Sequence, residues 1–271
     1  MPQIVLQSAA ARMSTIETIQ IWGRHIRQHN AKGTHKLYSI AVWRLKDFLP
    51  KKAKNITLEH FERFLASLDG LKPNTFNSYL TACKVFGSWL EEHDLPNPTK
   101  RLKKKRTLNI ARCLTDEEYD KVLAVCNQQE RDIVQFLCCS GLRQSEFLSL
   151  SATNIDPEGQ FLHVIGKNRK PRSVPLNDVC RSIISRHPQM NLSKNETQLR
   201  RLCHRLAERA GVKQFTPHTF RHSFATRMLR AGVPISRISK ILGHSSILIT
   251  ERIYVHWCQA DLQGTTDVLD K

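Results

Sequence analysis

The stretch HDLPNPTKRLKKKRTLNIARC, residues 93 to 113, constrains the fold more than any other part of the chain. Its two prolines cannot sit inside a continuing helix, and the basic run behind them has no sustained apolar periodicity, so no single helical core runs through it. It reads as a linker, and 271 residues leave room for an ordinary domain on either side. The sequence therefore predicts a helical domain at residues 1–95, a basic linker at 96–112 and a second domain at 113–271.

Before the linker, IETIQIWGRHIRQH, THKLYSIAVWRLKDFL, TLEHFERFLASL and KPNTFNSYLTACKVFGSWLEEH all carry apolar residues at three- and four-residue spacing, broken by Gly, Pro or Asn. That pattern predicts a bundle of about four short helices. After it, LTDEEYDKVLAVC starts on a Thr or Asp cap, and ERDIVQFLCCSGLRQSEFLSL reads as a buried helix stopped near Gly141, with Arg143 just beyond. In FLHVIGKNRKPRSVPL the period changes, and two short apolar runs flank a basic tip as in a β-hairpin. GVPISRISKILGHSS predicts a short helix stopped at Gly243, and ILITERIYVHWC a further helix bearing Tyr254.

Charge narrows the partners. With 42 Lys and Arg against 24 Asp and Glu the net charge is +18, which points to nucleic acid or an anionic membrane. No apolar run approaches the roughly 18 residues of a membrane span, and MPQIVLQSAAARM lacks the order of a signal peptide, so the expectation is a soluble, cytoplasmic protein. Residues 1–95 carry a net +5 and residues 96–271 the remaining +13. A solvated charge run is one meaning of KRLKKKR; a strap along a DNA backbone, through Lys100, Arg101, Lys103, Lys104, Lys105 and Arg106, is the other. The eight cysteines form no C-x-x-C pair and sit mostly in apolar helical patterns, so they read as reduced core residues, with no metal expected.

HTFRHSFATRML, residues 218 to 229, follows Thr216-Pro217. Thr216 suits an N-cap and Pro217 the first helical position, which places His218 and Arg221 on one face of the first turn. Unpaired N–H groups and the positive end of the helix dipole lie at the same end, ready for an anion such as a phosphate. A surface pair that merely caps the helix is the plainer alternative.

SGLRQSE, GKNRKPRSVPL, HTFRHSFATRML, LGHSS and TERIYVH, in that order, resemble the catalytic domain of the tyrosine recombinases, the Xer and phage-integrase family. The likeness covers about residues 107 to 260 through these motifs, and residues 14 to 95 resemble the family's core-binding domain more loosely. The implied fold is a mainly α, two-domain DNA clamp: an N-terminal helical (SAM-like) domain, then a mixed α+β catalytic domain with a small antiparallel sheet. Carried over residue by residue, the resemblance makes Arg143 and Arg221 the catalytic arginines, Lys167 the hairpin lysine, His218 and His244 the catalytic histidines and Tyr254 the nucleophile. His244 and Tyr254 stand ten apart, one residue more than in many Xer-type members.

The resemblance implies a site-specific recombinase working through a 3′-phosphotyrosyl intermediate without metal, cofactor or ATP. Its implied partner is double-stranded DNA, bound as a dimer per site and a tetramer on two duplexes. Arg169, Lys170 and Arg172 compete with Lys167 on the hairpin and are otherwise expected to touch DNA. Glu146 is expected to be an orienting or structural partner of Arg143 and not a catalytic acid, while His222 and His256 are left outside the core set. A type IB topoisomerase would share much of the chemistry, and a non-catalytic DNA-binding protein would explain the charge alone.

Overall fold

The computed structural model describes residues 13–30, 32–107, 112–166, 170–193, 195–244 and 246, which fall into two compact units divided near residue 108. Among the described residues the first unit holds four α-helices: α1 (Thr15–His29), α2 (Lys32–Leu45), α3 (Leu58–Ala66) and α4 (Pro73–Glu92). Their starts follow from local chemistry. Ser14 N–H donates to Glu17 Oε2 at 2.9 Å while Glu17 N–H donates to Ser14 Oγ at 3.3 Å, a reciprocal cap. Pro73 takes the first position of α4, where no amide partner is missed. Trp22, Ile26, Leu45, Phe61, Phe64 and Phe86 close the core, with the Trp22 ring edge-on to Phe86 at 5.2 Å. Each such side chain contributes about 1.5–3 kcal/mol by leaving water.

Much of the stretch expected to be a linker belongs to this unit. Pro98–Arg101 forms a 3₁₀ turn so close to α4 that a Cβ at Gly87 would collide with Asn97 and Thr99. Farther on, Lys105 N–H donates to Asn77 Oδ1, and Asn77 Nδ2 donates back to the Lys105 carbonyl, both at 2.8 Å. The small Gly87 lets the backbone approach, and Asn77 satisfies both peptide groups of Lys105. The basic run is thereby fastened to α4 as far as residue 105.

The first described residue of the second unit is Arg112, whose guanidinium meets both carboxylate oxygens of Glu118 (2.9 and 3.1 Å) and the carbonyls of Lys213 and Gln214. Its elements are α5 (Asp116–Ala124), α6 (Gln128–Ser140), α7 (Gln144–Leu148), strands β1 (Phe161–Ile165) and β2 (Pro171–Pro175), then α8 (Asp178–Arg186), α9 (Glu196–Arg209), α10 (Pro217–Arg230) and α11 (Ile235–Leu242). The strands form the expected antiparallel hairpin, with Leu162 opposite Val174 and both buried. Phe136, Leu137, Phe147, Leu206, Phe215 and Phe220 gather α6, α7, α9 and α10 around one core. Gly141 and Gly243 stop α6 and α11 in the left-handed conformation, φ 61° and 64°, which glycine adopts without a Cβ clash. The expected helix bearing Tyr254 lies outside the described residues. No helix among the described residues is long and apolar enough to cross a membrane.

Candidate active site

α11 ends in a way that organises the second unit. Gly243 N–H donates to the Lys240 carbonyl at 3.0 Å and His244 N–H to the Ser239 carbonyl at 3.1 Å, the paired bonds of a Schellman ending. The next three carbonyls, of Ile241, Leu242 and Gly243, lie past the last amide of the helix, and the negative end of the helix dipole lies there. Three arginines meet them. Arg172 Nε donates to Ile241 O at 2.7 Å, Arg221 Nη2 to Leu242 O at 2.6 Å and Arg143 Nη2 to Gly243 O at 3.0 Å.

Each arginine reaches this point from a different element. Arg143 is the N-cap of α7, set there by the stop at Gly141; its backbone N–H and Nη1 donate to Glu146 at 2.7 and 2.8 Å. Arg221 comes from the first turns of α10 and is buried, 5% exposed; its Nη1 donates to the Gly141 carbonyl at 2.7 Å, so one guanidinium joins the C-terminal ends of α6 and α11. At the start of α10, Pro217 sits at the first position as expected, and Thr216 N–H donates to Thr219 Oγ1 at 3.1 Å. Arg172 comes from β2 and grips both oxygens of Glu146, at 2.6 and 2.7 Å.

Glu146 thus accepts four bonds. Its burial alone would raise the carboxyl, but the Arg172 fork, the Arg143 amide and the Arg143 guanidinium outweigh it and hold the pKa down to about 2. The expectation that Glu146 orients Arg143 matches this geometry. The expectation that Arg172 touches DNA does not: its side chain is 8% exposed, and Glu146 with the end of α11 draws it inward from the hairpin.

The histidines are pushed the other way. His244, half-buried, falls to about 4, first through burial and then through the charges of Arg221, Arg143, His222 and Arg172. His218 is exposed yet also lowered, by desolvation and then by Arg221, Arg200 and Arg143, with Glu196 opposing. His222 falls to about 4 through burial and then His218 and Arg221. Near neutral pH these rings are uncharged beside fixed guanidinium groups. The structure therefore brings Arg143, His218, Arg221 and His244 into one electropositive cluster. Arg200 of α9, which sequence reasoning passed over, adds to it.

Lys167, Arg169 and Tyr254 lie outside the described residues. Lys170 is exposed, and its carbonyl accepts from Gly166 N–H at 2.9 Å. In the first unit Lys100, Arg101, Lys103, Lys104, Lys105 and Arg106 are all exposed; Lys100 pairs with Glu91, and Lys105 with Asp69 at 3.1 Å while lying over the Phe76 ring. Among the described residues no group of His, Cys, Asp and Glu is arranged to hold a metal ion.

A model of the phage integrase family matches residues 112–260. A tyrosine recombinase of Thermosipho africanus is 30% identical over 268 residues, covering 89% of this chain and 94% of that one. The tyrosine recombinase XerA of Saccharolobus solfataricus is also 30% identical, covering 86% and 85%. The solved pre-cleavage complex of the XerH site-specific recombinase with its difH substrate is 18% identical, with a TM-score of 0.68 over 93% of this chain and 90% of that one, a likeness of fold. The family model spans the whole arginine cluster and the relatives extend the match through the helical unit, so the chain belongs to the phage integrase family as a Xer-like tyrosine recombinase.

Proposed function

We propose that this recombinase cuts and rejoins double-stranded DNA at a specific site, with Tyr254 as nucleophile and the arginine cluster at the end of α11 as the seat of the scissile phosphate. The observation that carries this is the convergence of Arg143 and Arg221 on adjacent carbonyls, with His244 the next residue of the chain. A tyrosine hydroxyl ionises near pH 10, so it needs a base and an electrophilic partner. The Tyr254 oxygen attacks phosphorus, the bond to the 5′-oxygen breaks, and the 3′-phosphate stays on the tyrosine. The 5′-hydroxyl of another strand later reverses the step and frees Tyr254.

Each role follows from charge. Arg143 and Arg221 carry permanent, planar donors that stabilise the negative charge building on the non-bridging oxygens. His218, neutral near pH 7, accepts the Tyr254 proton; His244, also neutral, donates its single N–H to the phosphate. Lys167 protonates the departing 5′-oxygen. The exposed run from Lys100 to Arg106 and Lys170 bind phosphates flanking the site, and the two units together clamp the duplex. Two dimers, one per duplex, form the tetramer in which strands exchange.

The test is recombination. Plasmids carrying two copies of the DNA that flanks the gene, incubated with the protein without ATP or added metal, are expected to yield recombinant junctions that Tyr254→Phe abolishes. Relaxation of supercoils without junctions would assign a topoisomerase activity, and specific binding without either product would leave a DNA-binding protein.

A further inference from the structure

The arginine that sequence reasoning sent to the DNA has every guanidinium nitrogen occupied inside the protein. Arg172 Nη1 and Nη2 hold the two oxygens of Glu146, and Nε holds Ile241 O. Its flanks are closed by two glycines. A Cβ on Gly243 would stand 2.7 Å from Arg172 Cδ and 3.2 Å from Nε; one on Gly166 would stand 3.3 Å from Arg172 Nη1 and 3.6 Å from Arg143 Nη1. Gly243 immediately precedes His244, and Gly166 immediately precedes Lys167. The remaining side is Glu146, which fixes Arg143 through its amide and its guanidinium.

We infer that Arg172 is a positioning residue for strand cleavage, a planar strut that sets Arg143, the end of β1 at Gly166 and the backbone leading into His244 against one another. This rests on the recombinase reading above. The shape of the group matters as much as its charge. A guanidinium reaches a carboxylate with two parallel bonds and a carbonyl with a third, in one plane, whereas an ammonium is a point charge that cannot meet all three at once. Both glycines fit the same account: a Cβ at Gly243 would collide with Arg172 Cδ at 2.7 Å, and one at Gly166 would press on Arg172 Nη1 at 3.3 Å.

Wild type, Arg172→Lys and Arg172→Gln, as full chains, are compared on a nicked suicide duplex containing a site enriched by wild-type binding. Affinity is measured, and covalent capture is timed in DNA-saturated complexes at a temperature where circular dichroism shows each protein fully folded. Both variants are expected to bind within about threefold of wild type and to be captured on the order of 10²-fold more slowly, the cost typical of a reacting group displaced by about 1 Å. Arg172→Lys keeps a charge beside Glu146, so it decides the matter if Arg172→Gln does not fold. Capture at the wild-type rate overturns the inference. So does weakened binding with an unchanged rate, which would make Arg172 a DNA contact. A wild type that binds its enriched site without capture would instead overturn the recombinase reading itself.

Discussion

Asp132 and Glu146 are both buried carboxylates of the second unit, and both lie against arginine. Asp132, on α6, accepts from Gln128 Nε2 at 2.8 Å, Arg186 Nη2 at 2.6 Å and His187 Nε2 at 2.8 Å, fastening the end of α8 to α6. The Arg186 side chain is 42% exposed, so that cluster ends in solvent. The partners of Glu146 are more enclosed, with Arg172 at 8% and Arg143 at 24%, and they run on to the carbonyls before His244. The same charge pairing docks a helix in one place and, in the other, ties two arginines to the end of α11. What separates them is where the arginine's remaining donors go.

Removing an arginine from the second cluster should have the largest effect. Arg143→Ala is expected to slow covalent capture by about 10³ to 10⁵, by analogy with arginines in other phosphoryl transfers, while DNA affinity changes little. A loss below tenfold in single-turnover capture would take Arg143 out of the phosphate seat. Asp132→Asn should do the opposite: lower stability by about 1–2 kcal/mol in urea, because Arg186 is half in water, and leave capture by the folded protein unchanged. If Asp132→Asn slowed capture as Arg143→Ala does, the two clusters would not differ in the way their geometry indicates.

Acid should act on the groups of the Glu146 cluster in sequence. His244 and His222 stand at about 4 in the folded protein, below the ordinary histidine value near 6.5, so the unfolded chain binds protons first. Their contribution to stability is complete above about pH 6.5 and is lost as pH falls towards 4. Glu146, at about 2, is also depressed, and its contribution survives to lower pH. Melting temperature followed from pH 7 to 3 should decline first between 6.5 and 4, and His222→Gln should shrink that step. An unchanged step in the variant would place the titration elsewhere. The smallest effect belongs to the first unit: Lys103→Gln with Lys104→Gln should make the log–log salt dependence of DNA affinity shallower by up to about 2, at about 0.9 per phosphate contact, with capture unaltered.

Local chemistry made much of this legible. Gly141 and Gly243 announce helix stops, Thr216-Pro217 a helix start, and the period change around residues 161–175 a hairpin; each is a near-neighbour effect. Glu146 was legible as the partner of Arg143 because three residues place them in one capping turn. Arg172 was not. Its position beside a basic hairpin tip suggests an exposed cation, and its pairing with Glu146, 26 residues away on α7, exists only once the chain has brought β2 and α7 together. Arg221 shows the same limit: the spacing from His218 puts both on one face, but only the packed helices offer the carbonyls of Gly141 and Leu242. The attachment of the basic run to α4 likewise depends on Asn77 and Gly87, which carry no local signal of a partner near residue 100.

If the proposed chemistry holds, a tyrosine attacks a phosphate held by this arginine cluster. A nicked suicide duplex of an enriched site, incubated with wild type without added metal, digested with protease and read by mass spectrometry, tests it most directly. The expected product is a nucleotide-linked peptide whose phosphodiester sits on Tyr254, absent with Tyr254→Phe. An adduct on another residue, or cleavage that leaves no protein on the DNA, would contradict it.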